Sequence, residues 1–160
     1  MEKNTKKQKI KVKLTDEEKE RIIEEIFDTG AATKSVNILS NRIKATLISL
    51  TPKDYFIIEE KMSNSAVNSK IGILQSYGLW KLVFGIAKYK SKKETDFSPL
   101  TAEDRFEFLS KLPSSIIDRL MLEQQIFEAE VKEVMAIENI EQVFFVEGDL
   151  QEKPEQSPEE

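Results

Sequence analysis

The sequence predicts a mainly α fold: a compact helical domain of about five helices with a small β-hairpin packed on it and flexible ends. Three observations predict it. One phrase, a leucine, a threonine and an acid three residues after the threonine, occurs at Leu14-Thr15…Glu18, Leu50-Thr51…Asp54 and Leu100-Thr101…Asp104. In each, the hydroxyl accepts from an orphan N–H of the first helical turn, and the acid reaches back from the positive end of the helix dipole. Second, Ile43, Ala45 and Leu47 alternate with Lys44 and Thr46, the period of a half-buried strand. Third, two long stretches, Ile71–Tyr89 and Ile117–Val134, carry dense apolar residues without that alternation.

The elements follow in order. Residues 1–13 read as a basic flexible leader, residues 14–146 as a single α-helical domain and residues 147–160 as an acidic disordered tail. The first helix runs from Thr15 to Phe27, with apolar Ile22, Ile23, Ile26 and Phe27 near its end, and stops at or before Gly30. A hairpin at about 36–50 turns at Ser40–Arg42. Such a pair is marginal alone and must lie on the helices. Thr51 opens a second helix to about Met62, with Pro52 at a position where a helix has no use for an N–H. Asn64 or Ser65 is the expected cap of the third helix, Ile71–Tyr89, which reads as buried on most sides. Its glycines Gly72, Gly78 and Gly85 imply close approach by a neighbouring helix. Lys88 to Phe97 reads as a charged loop. Thr101–Lys111 forms a short helix presenting Phe106 and Leu109. Pro113 forbids continuity with the last helix, which Ser115 and Asp118 are expected to cap. Ile117, Leu120, Phe127, Val131 and Val134 form its seam, interrupted by Gln124, which reads as a wet edge; the seam extends toward Ile137 and Ile140.

Composition narrows the chemistry. The chain has neither cysteine nor histidine, so disulfides, thiolate ligands, cysteine nucleophiles and imidazole bases are excluded. Its five glycines are too scattered for a phosphate-binding loop or a dinucleotide fingerprint. No cofactor and no metal is implied, and the chain reads as non-enzymatic, with carboxylate or lysine chemistry the only catalytic route left. There is no run apolar and long enough for a membrane span, and the lysine-rich N-terminus is no secretory signal.

Charge is unevenly placed. The leader carries six lysines against Glu2, while the tail carries six acids against Lys153. A basic arm suggests nucleic acid or membrane. The solvated reading is favoured, because no aromatic is interleaved for base stacking and the whole chain has a net charge of −5. At the junction with the tail stand Val143, Phe144, Phe145 and Val146, read either as a strand or helix end on the core or as a short partner-docking segment.

Several stretches together resemble a known family: Leu50-Thr51-Pro52-Lys53-Asp54-Tyr55 after a hairpin, the aromatic-rich helix Tyr77–Tyr89, the loop Phe97-Ser98-Pro99-Leu100-Thr101, and Leu109 to Leu120 with Phe127, Glu128 and Val131 beyond. In order and texture they resemble the small baseplate-hub assembly proteins and tail-assembly chaperones of contractile-tailed, T-even-type bacteriophages, over roughly residues 10–135. That resemblance implies a helical, non-enzymatic assembly factor of the bacteriophage tail or baseplate. It would bind other tail or baseplate proteins, without cofactor or membrane, in the host cytoplasm or on the virion tail. It carries no defined site residue over to this chain. The alternative from the residues alone is a cytoplasmic nucleic-acid-associated regulator using the lysine arm. Self-association through Val143–Val146 is the competitor to partner docking, so a homo-oligomer stays open.

Overall fold

Local capping chemistry partitions the chain as its sequence predicts. In this computed structural model, which describes residues 13–136, Thr15, Thr51 and Thr101 each stand as N-cap of a helix. They open α1 (Asp16–Thr29), α2 (Pro52–Ser63) and α4 (Ala102–Ser110). The first two are reciprocal boxes: Thr15 Oγ1 accepts from the Glu18 N–H at 3.2 Å while Glu18 Oε2 accepts from the Thr15 N–H at 2.8 Å, and Thr51 and Asp54 repeat the pattern. Gly30 ends α1 in the left-handed region (φ 84°), and its N–H donates to the Ile26 carbonyl. The leader and tail assignments, and the extension of the last seam through Ile137 and Ile140, lie outside the described residues.

Between α1 and α2 lies the predicted hairpin, β1 (Thr33–Ile38) paired antiparallel with β2 (Ile43–Ile48). Leu39, Ser40 and Asn41 all take positive φ in its turn. The remaining elements are α3 (Lys70–Gly85), β3 (Ile86–Lys90), β4 (Glu94–Asp96) and α5 (Ser114–Val134). The four strands form one antiparallel sheet in the order β1-β2-β3-β4.

Among the described residues the fold is thus five helices with a four-stranded antiparallel sheet, helical in the main but with more β structure than a single hairpin. The predicted helix Ile71–Tyr89 stops at Gly85, and the predicted charged loop 88–97 is mostly a second hairpin. The cause is the free edge of β2: Ile86 and Tyr89 turn inward while Lys88 and Lys90 turn out, so the segment supplies the third strand. Ala87 is the extra residue where the register shifts between Thr46 and Leu47.

Two caps also differ from expectation. Ser69, whose Oγ accepts from the Gly72 N–H at 3.0 Å, caps α3, while Asn64 ends α2. Pro113 is the N-cap of α5 and supplies only its carbonyl, to Ile116 and Ile117; Ser115 and Asp118 make no cap.

One core joins these elements. The inner sheet face (Val36, Ile38, Ile43, Ala45, Leu47, Ile86, Tyr89) is buried with Ile22 and Ile23 of α1, Leu82 and Val83 of α3 and Leu120, Phe127 and Val134 of α5. Phe108 of α4 meets Tyr89 and Phe97 edge-on, with ring centroids 5.5 and 5.4 Å away. Gln124, expected at a wet edge, is only 2 % exposed. It sits where α5 crosses the end of α3, and burial there follows from the lack of a side chain on Gly85.

Candidate partner-binding surface

Only the C-terminal end of α3 is buried, at Leu82, Val83 and Gly85. Its N-terminal half was expected in the core, yet Ile71 is 71 % and Leu74 61 % exposed. These two stand three apart, hence on one face of the helix. Gly78, seven residues after Ile71, continues that face and lets Met121 of α5 lie against the backbone of α3.

Three hollows follow one another along α5. The first, about 460 Å³, lies among Val67, Gly72, Leu79, Leu112, Ile117 and Met121. The second, about 330 Å³, lies among Leu74, Tyr77, Gly78, Lys81, Met121 and Gln125. The third, about 460 Å³, lies among Leu50, Tyr55, Gln125, Glu128, Val131 and Met135. Met121 borders the first two and Gln125 the last two, so the three are neighbours along α5 and together make an interrupted trough. The helix beneath has 21 residues, about 30 Å at 1.5 Å per residue. Ile117, Met121, Gln125, Glu128 and Lys132, with the C-cap Met135, line it at spacings of three and four, one stripe along α5 and its end. The neighbouring stripe, Leu120, Gln124, Phe127 and Val134, is buried.

One polar station crosses the trough. Glu128 accepts from Lys81 Nζ at 2.7 Å and from the Tyr55 hydroxyl at 3.4 Å. Burial, followed by the Glu128 charge, pushes the Tyr55 phenol up to about 12. Lys81 Nζ also stands 5.8 Å from the centre of the Tyr77 ring. This arrangement holds α2, α3 and α5 together.

Comparison of the chain with known protein families, with curated proteins and with solved structures finds no match. The site must therefore be read from its own chemistry. Among the described residues no group of three or more acidic side chains is placed to hold a metal ion, and no helix is long and apolar enough to cross a membrane. A partly apolar trough with exposed Leu74 at its rim, and with charge at the Lys81–Glu128 clasp, Asp118 and Lys132, can bury a partner's amphipathic segment.

The residues singled out as a docking segment, Val143, Phe144, Phe145 and Val146, lie outside the described residues. The trough itself is absent from the sequence reading. Its signal was present in the apolar composition around Ile71, but composition alone does not separate a buried helix from an exposed sticky one.

Proposed function

We propose that this chain is a bacteriophage tail or baseplate assembly factor acting by protein–protein contact, with the trough along α5 as its principal docking surface. The observation that carries the binding reading is the exposure of Leu74, which lines that trough, with Ile71 exposed on the same face of α3. Its length suits an amphipathic helix with apolar residues at i, i+3, i+4 and i+7. The tail assignment rests on the order and texture of Leu50–Tyr55 and Leu109–Val131 in the sequence. Val143–Val146 are a second proposed contact, a short segment whose phenylalanines would enter a partner's groove.

The experiment is binding of the purified full chain to purified tail-tube, tape-measure and baseplate-hub components of the phage that encodes it. Wild-type chain is expected to capture one of them. Leu74→Asp is expected to weaken that capture at least about tenfold, the scale of one interface hot spot, with the melting temperature unchanged. Phe144→Ser with Phe145→Ser tests the second contact in the same way. Capture that survives Leu74→Asp removes the trough from the proposal, and absence of binding to every tail component removes the assembly role.

A further inference from the structure

The sheet turns its inner face to the core and leaves the other face without any covering element among the described residues. Its register sets two rows of side chains across the four strands of that open face. One row is Asn37, Lys44, Lys90 and Glu94, and the other is Ser35, Thr46, Lys88 and Asp96. Lys44 and Lys90 are directly paired across β2 and β3. Like charges in that position destabilise a sheet. Arg42 precedes β2, and Lys92 and Lys93 lie in the turn between β3 and β4. A chain of net charge −5 therefore gathers six cations around one exposed sheet face, with acids only on its β4 margin.

None of these six cations makes an ion pair within 4 Å among the described residues. The two acids of the β4 margin, Glu94 opposite Lys90 and Asp96 opposite Lys88, make no ion pair with them within 4 Å. Asp96 accepts from the Ser98 N–H at 2.9 Å, and this bond, more than Lys88, holds its carboxyl below the usual range. A polar hollow of about 240 Å³ lies among Ser35, Lys44, Thr46, Lys88, Lys90 and Glu94. Three lysines lining one hollow against a single acid, two of them cross-strand neighbours, mark a place that an anionic group would stabilise.

We propose that this open face binds an acidic polypeptide segment of a partner protein, extended along β3 with Asp or Glu at alternate positions. Lys88 and Lys90 are two residues apart on one strand, so their spacing is about 6.7 Å. Carboxylates at alternate positions of an extended segment repeat at the same interval, and Lys44 reaches the same row as Lys90 from the neighbouring strand. A nucleic acid fits less well. The two rows of the face carry no aromatic side chain on which a base could stack. This surface is separate from the trough along α5 and stands whether or not that one docks a tail protein.

The test is titration of the full chain with a short fluorescein-labelled synthetic peptide alternating glutamate with threonine, beside a labelled DNA duplex. The peptide is expected to bind at low salt and to weaken as salt rises. Lys44→Glu and Lys88→Glu are each expected to weaken it about fivefold, the scale of one exposed ion pair. A peptide of equal charge with its glutamates in one block is expected to bind less well. Lys44→Thr guards against misfolding: it relieves the Lys44–Lys90 repulsion, so it should raise the melting temperature while lowering peptide affinity. Peptide binding unchanged in these variants overturns the proposal. So does tighter binding of the duplex through the same lysines, which would give the face to nucleic acid.

Discussion

Gly85 and Gln124 occupy one space between α3 and α5. A Cβ on Gly85 would fall 2.6 Å from Gln124 Nε2 and 2.7 Å from its Cδ, so the amide lies on bare backbone. Its Nε2 donates weakly, at 3.5 Å, to the Ile48 carbonyl at the end of β2, and its buried Oε1 has no partner among the described residues. The pair therefore sets how closely the last helix approaches both the third helix and the sheet.

Gly85→Ala is expected to destabilise the protein by about 1–3 kcal/mol through overpacking, although alanine favours helix. Combining it with Gln124→Ala should recover part of the loss, because the two changes act on one contact. Urea melts of the two single variants and the double variant check this. Additive losses would show that the contact is not the cause.

The two ends of α3 should respond very unequally to the same substitution. Leu82→Ala removes a side chain with no solvent exposure and is expected to cost about 2–5 kcal/mol. Leu74→Ala, at the exposed end, is expected to lie within about 0.5 kcal/mol of wild type. Thermal melts decide between this and a helix buried along its whole length, which would make both changes costly.

Tyr55 gives the protein an alkaline signature. Its folded-state pKa is about 12, above the ordinary phenol value of 10.0, because burial and the Glu128 carboxylate disfavour phenolate. The folded state therefore holds this proton more tightly than the unfolded state. The contribution is complete below pH 10 and is lost as pH rises toward about 12. Tyr55→Phe should flatten the fall of the urea midpoint over that window, relative to wild type. Tyr89, which burial also raises, remains in both proteins and cancels in the comparison. An equal fall in both would place the Tyr55 hydroxyl in water.

What the sequence reveals, and what it hides, follows from the range of the forces. The caps at Thr15, Thr51 and Thr101 are legible because a hydroxyl and an N–H within three residues decide them. The β1–β2 hairpin is legible because its alternation runs unbroken from Ile43 to Leu47. β3 is hidden because Ile86–Tyr89 continues an apolar run with no punctuation, and its pairing with β2, distant in sequence, and with the short charged β4 makes it a strand. Gln124 in the core is illegible for a similar reason: its companion, Gly85, belongs to another helix. The trough is hidden because exposed Leu74 and buried Leu82 are the same residue type in the same helix.

The sheet order carries a kinetic consequence. β2 and β3 are neighbours in the sheet, yet α2 and α3 both lie between them in the chain. The first hairpin needs only a short turn and can zip on the microsecond scale of such units. β3 and β4 can likewise pair early across their own short turn, but the β2–β3 ladder must wait until a two-helix excursion has closed, which costs loop entropy before any of its bonds forms. The fold is therefore assembled in two instalments. Until the second arrives, β2 presents an unsatisfied edge to every other nascent chain nearby, and the speed at which α2 and α3 collapse sets how long that edge stays open to misassembly.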